Sequence, residues 1–211
     1  MQDSLDQTVR RSQRRSFQYW YADGFTELSV GLLFWILAAY FAVIAAAIGP
    51  AWWLVVEALA LPVLVLGGVY ATRWLVRTLK IRYTYPRTGY VGYQRKPSKA
   101  SRRWRIVAAA IIGIVVGGFF SSRPEALAWI PAVQGMAVGL VLFTIASRVN
   151  LLRFYILAVI SVLLGVGISL RAVEPNWGNA LFYAVMGIAL VASGLRALSA
   201  YVRRTAPPAG E

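Results

Sequence analysis

Apolar residues in this chain gather in long runs instead of recurring at the half-buried spacing of soluble helices or strands, and the breaks between the runs are short. The runs cover Glu27 to Ile48, Gly49-Pro50 to about Val76, Arg105 to Ser121, Ala126 to Ala146, Leu151 to Leu170, and Trp177 to about Tyr201. Each approaches the ~20 helical residues that cross a hydrocarbon core about 30 Å thick. The pattern predicts an all-α membrane protein, a six-transmembrane-helix bundle with both termini on one side. Gly49-Pro50 ends the first run, Trp52 and Trp53 follow as an interfacial pair, and Pro62 falls inside the second run, where it predicts a kink.

In one place alternation replaces the runs. Between Lys80 and Gln94, Ile81, Tyr83 and Tyr85 alternate with Arg82 and Thr84, which is a strand signal. Pro86-Arg87-Thr88-Gly89 supplies a turn, and Tyr90 to Tyr93 reads as a returning strand. This predicts a small cytoplasmic β-hairpin in the central loop. A lone hairpin is marginal in water, so its tyrosine face needs the bilayer surface, the N-terminal segment or a partner to cover it.

The chain divides accordingly. Residues 1–26 form a basic cytoplasmic or interfacial segment, 27–76 the first two membrane helices, 77–104 a basic tyrosine-rich loop, 105–201 four more helices, and 202–211 a tail. In the first segment, Arg10, Arg11, Arg14 and Arg15 lie beside Leu5, Val9, Phe17 and Trp20. Met1 to Arg15 reads equally as an interfacial helix or a disordered tail, whereas Phe17 to Tyr21 belongs at the interface. The first apolar run follows this polar stretch and is too long for the core of a leader, so no removable signal peptide is expected.

Charge gives the pattern a direction. The formal net charge of +14 could suggest nucleic acid, but the basic residues crowd helix ends, which makes anionic lipid the nearer polyanion. Arg73 to Arg105 holds eleven Lys or Arg residues and no acid, and of all twenty-two basic residues only Arg123 and Arg171 fall in the connectors of the opposite side. Positive-inside asymmetry of that size predicts cytoplasmic termini and a cytoplasmic central loop. The expected loop contacts with lipid headgroups or a protein partner are Arg82, Tyr83, Tyr85, Arg87, Tyr90, Arg95 and Lys96.

Candidate chemistry is sparse. Cysteine and histidine are absent, which removes thiolate and imidazole metal ligands, Cys nucleophiles and histidine bases. No catalytic, cofactor or metal residue is predicted. Glu57 is the acid most plainly inside a membrane run, and it reads either as a proton or cation site or as a neutral or paired structural carboxyl. Asp23 and Glu27 flank Gly24 at the start of the first helix, where they suit a helix N-terminus; they could also bind a divalent ion or, the preferred alternative, receive arginines from the central loop. Gly113 with Gly117, Gly135 with Gly139, and Gly187 with Gly194 have helix-packing spacing, which suits packing within the bundle or a homo-oligomer. A weak echo among Val30-Gly31-Leu32, Val138-Gly139-Leu140 and Met186-Gly187-Ile188 would fit an inverted repeat.

Tyr85 to Val91 and Tyr19 to Gly24 together resemble short motifs of small bacterial multi-pass membrane proteins of unassigned function. The resemblance implies that the pre-helix segment and the loop belong together, and it brings no activity, cofactor or catalytic residue. With that resemblance, the functional expectation is a non-enzymatic scaffold or regulatory subunit of the bacterial inner membrane whose loop contacts anionic lipid or a protein. The alternative is a small-solute or ion transporter using Glu57 and the Pro62 helix. A lipid-processing enzyme built on Asp23, Glu27 and loop arginines ranks third, because no nucleophile and base pair stands out.

Overall fold

The computed structural model describes residues 21, 23–47, 53–84 and 122–204. Among these residues every element is helical and none is a strand. The helices are α1 (Phe25–Ala46), α2 (Trp53–Leu79), α3 (Ile130–Val149), α4 (Leu152–Leu170) and α5 (Pro175–Arg204). All five contain a stretch long and apolar enough to cross a membrane. The run from Arg105 to Ser121, predicted as a further crossing, lies outside the described residues, as do the turn and return strand of the expected hairpin and the Gly113–Gly117 pair.

The start of that hairpin is corrected. Lys80–Thr84 is a π-helical turn that carries α2 onward, not a strand. Extending a formed helix adds a hydrogen bond per residue fixed, whereas an isolated strand pair must be nucleated afresh. Three alternating side chains are too few to reverse that preference. Ile81 and Arg82 are both exposed, so the alternation does not sort the segment into two faces. Pro62 lies inside α2, which runs through it.

The other ends follow local chemistry. Ala126 was expected to start a helix, but Pro124–Trp129 forms a 3-10 turn and the α-helix begins at Ile130. Pro131 has no N–H to give Leu127, and its ring would collide with that carbonyl, so it is tolerated only in a helix's first turn. The Ala132 N–H, orphaned by its place in that turn, donates to Ser169 Oγ on α4 at 3.0 Å. Asn150 ends α3 in the left-handed conformation, φ 55°, that asparagine accepts more readily than most residues. Glu174 receives the Trp177 N–H at 2.9 Å, and Pro175 opens α5 two residues before the predicted start.

Two antiparallel helix pairs make up the bundle. In α1 and α5, Gly24 lies against Gly194 and Gly31 against Gly187, so the registers run in opposite directions. In α3 and α4, Gly135 lies against Gly165 and Gly139 against Ala158. The Ser161 hydroxyl donates to the Gly135 carbonyl at 2.9 Å. Backbones meet this closely only where side chains are absent or small, which is how membrane helices associate when lipid removes the hydrophobic drive between them. The described glycine pairs are thus used within the chain. Where the pairs join, Leu142, Ala146, Phe154, Leu157, Ala158, Met186 and Leu190 form the core. Helix α2 packs on α1 at the margin, with Gly68 against Leu33.

The distribution of polarity is that of a lipid-solvated protein. Ser161, Asp23, Lys80 and Glu27 are buried while Leu66, Leu140, Leu163 and Ile188 face outward. A soluble monomer would not expose so continuous an apolar surface.

Candidate functional site

The contacts that join the helices most distinctively lie at one end of the bundle. The N-termini of α1 and α4 and the C-termini of α2, α3 and α5 converge there. Arg148, Arg153, Arg196 and Arg203 lie at this end with Lys80 and Arg82, whereas Arg123 and Arg171 adjoin the opposite ends of α3 and α4.

Gly24 is the pivot of the junction. It caps α1 with φ 72°, in the left-handed region where a Cβ is penalised, and a Cβ there would also lie 2.4 Å from the Gly194 carbonyl oxygen. Its own carbonyl accepts the Leu28 N–H at 3.1 Å. This bend places Asp23 and Glu27 on the interior instead of leaving them in water at the helix start. Asp23 Oδ1 accepts the Phe25 N–H at 3.3 Å. Its other oxygen, Oδ2, lies 3.0 Å from Lys80 Nζ, with the two side chains 0% and 2% exposed.

Glu27 is held from two other helices. Its Oε1 lies 3.1 Å from Arg153 Nε on α4 and accepts the Ser193 hydroxyl of α5 at 3.3 Å. Arg153 also donates through Nη2 to the Tyr21 carbonyl, and its guanidinium stands 5.2 Å from the centre of the Phe154 ring. Tyr21 meets the same ring edge-on at 5.5 Å. Burial pushes the Tyr21 phenol above its ordinary range, Arg148 opposes that, and Glu27 adds to it. The phenol is therefore neutral at physiological pH and available as a hydrogen-bond donor.

The junction can fasten elements of the bundle to one another. In place of arginines from the central loop, Asp23 receives Lys80 from the helical turn after α2, and Glu27 receives Arg153 from the first turn of α4. Among the described residues no group of three potential ligands stands close enough to hold a metal ion. Glu57 lies on α2, away in sequence from both ion pairs, and its side chain is outside the described set, as are the side chains of Tyr83 and all of Tyr85, Arg87, Tyr90, Arg95 and Lys96. Arg82 is exposed at the end of α2. Sequence reasoning singled out both acids but missed Arg153, Ser193 and Tyr21 as their surroundings. Arg153 was visible only as one more basic residue on the positive side, and nothing in its spacing tied it to residue 27.

Comparison with protein-family models, with curated proteins and with solved structures finds no match to this chain.

Proposed function

We propose that the chain is a non-enzymatic scaffold or regulatory subunit of a bacterial inner membrane, crossing it six times, with both termini cytoplasmic and its basic segment presented to anionic headgroups. The single observation that carries this reading is the buried Asp23–Lys80 ion pair. It fastens the beginning of the basic segment to the mouth of α1, so the cations that follow start at the bilayer surface. Each basic residue held near an anionic leaflet contributes about 1 kcal/mol, and restricting the segment to that surface lowers the ordering cost of reaching it.

The sixth crossing has its own support. Helix α2 ends beside Asp23, whereas Ser122 and Arg123 lead into α3 at the far end of the bundle. A crossing by Arg105 to Ser121, the apolar stretch between them in sequence, would account for that change of side. The sorting of described basic residues by end favours a cytoplasmic junction by the positive-inside rule. In the cysteine-free background, single cysteines at positions 98 and 122 are expected to differ in labelling by an impermeant maleimide on intact bacterial cells. Ser122→Cys should react and Ser98→Cys should be protected; equal labelling, or the reverse, removes the topology.

Headgroup contact is tested by trypsin on the protein reconstituted in liposomes of phosphatidylcholine alone or with a third of phosphatidylglycerol. Cleavage after Arg82, Arg87 and Arg95 is expected to slow at least threefold in the anionic vesicles, and the difference should fade at high salt. Equal rates at all three sites would show that the segment does not contact lipid charge.

A further inference from the structure

A groove between α1 and α3 opens at the charged end of the bundle. It consists of two adjoining cavities, about 350 and 240 Å³, that share Tyr21, Val141 and Ile145. The larger runs toward the membrane interior between Val30, Phe34, Val138, Leu142 and Leu190. The smaller reaches the last turn of α3, where Thr144 and Arg148 line it. Size and composition match a small-molecule site, an apolar cleft with a few polar groups gathered at one place.

Those polar groups define the occupant. Arg148 is exposed at the mouth and has no carboxylate partner among the described residues, although it is near enough to Tyr21 to influence the phenol. Glu27 and Thr26 line the larger cavity, and their Oε2 and Oγ1 atoms are buried without a hydrogen-bond partner. Glu27 is 3% exposed, so water does not readily supply what is missing. The site therefore offers a cation for a phosphate, an acceptor that lacks a donor, and an apolar channel leading away from both. Arg148 and Arg153 against Glu27 leave the mouth net positive, which favours an anionic head over a zwitterionic one.

We propose that this groove binds one anionic phospholipid of the bilayer with a glycerol head, its phosphate on Arg148, a head hydroxyl donating to Glu27 Oε2, and one acyl chain lying between α1 and α3. The position suits a bilayer lipid, because the mouth is at the helix ends, at headgroup level, and the channel extends toward the level of the acyl chains. It is a single built site, separate from any diffuse attraction between lipid and the basic segment.

Native mass spectrometry of the full chain in mild detergent, with phosphatidylglycerol, phosphatidylethanolamine, phosphatidylcholine or oleate added in turn, tests this. A one-to-one phosphatidylglycerol adduct should persist at collision energies that strip the other three. Arg148→Gln should weaken its retention at least fivefold. Val141→Trp should do the same by filling the junction of the two cavities, and because Val141 is 59% exposed the change is compatible with the core. Arg196→Gln and Arg203→Gln, exposed at the same end, should leave the adduct unchanged. Equal retention of phosphatidylcholine, an adduct insensitive to both groove variants, or equal loss with the two control variants would overturn the site. Preferential retention of phosphatidylethanolamine or oleate would overturn the head assignment.

Discussion

Lys80→Met is expected to destabilise the folded protein by about 3–5 kcal/mol, the range seen when one member of a buried ion pair is removed and the other is left behind. Lys80 and Asp23 are both shielded from solvent, so neither bulk water nor salt can take over the lost contact. The effect should be largely reversed in Asp23→Asn/Lys80→Met, because the second change removes the charge stranded by the first. Arg153→Met should cost less, since that side chain is one-quarter exposed and its surroundings are more open to water. Reversible unfolding in mixed micelles, followed by tryptophan fluorescence, provides the measurement. A loss below about 1 kcal/mol for Lys80→Met, or no recovery in the double variant, would mean that the pair does not hold the α2 end in place.

The second large effect concerns the seam between α3 and α4. Gly165→Ala should destabilise by about 1–3 kcal/mol, the usual cost of forcing extra volume into a close-packed contact. A Cβ at that position would lie 2.4 Å from the Pro131 carbonyl oxygen and 3.0 Å from Gly135 Cα. Backbone cannot rotate aside as a side chain can, so the two helices must separate and weaken the Ser161 and Ser169 bonds between them. Gly167→Ala, two positions later in the same helix, meets nothing within 4 Å. It should be neutral or stabilising by up to about 1 kcal/mol, as expected for alanine replacing glycine in a helix. The contrast within one helix is the informative quantity. Equal effects at the two positions would show that helix propensity, not interhelical approach, sets the stability of this seam.

Much of the architecture was legible because the bilayer imposes a coarse rule, and five of the predicted runs correspond to described helices. The rule is blind to what ends a helix. It missed the α2 extension into Lys80–Thr84 because three alternating residues resemble a strand locally, while the preceding helix decides their state. It placed the α3 start at Ala126 because hydropathy does not register that Pro131 cannot donate to Leu127. The site was legible by half. Two acids beside a glycine at the start of an apolar run stand out in any reading, but their partners are 57 and 126 residues further on (80 − 23 and 153 − 27). Such pairings are created by helix packing and carry no local signature. The groove was still less visible, since Tyr21, Thr26, Val141 and Arg148 look like ordinary interface and helix-face residues until α1 and α3 are placed side by side.

The pairing of α1 with α5 also bears on the order of synthesis. The glycine face of α1 finds its complement in α5, so Gly24 and Gly31 have no native counterpart until Gly187 and Gly194 have left the ribosome. By contrast, α3 and α4 are neighbours in sequence and can zip together as soon as both have entered the bilayer, which makes them the natural early hairpin. During the interval the α1 face is exposed to lipid and to other nascent helices with small-residue seams. A pause in translation before Pro175 would prolong that exposure, and chains halted there should be the ones that membrane quality-control proteases remove first.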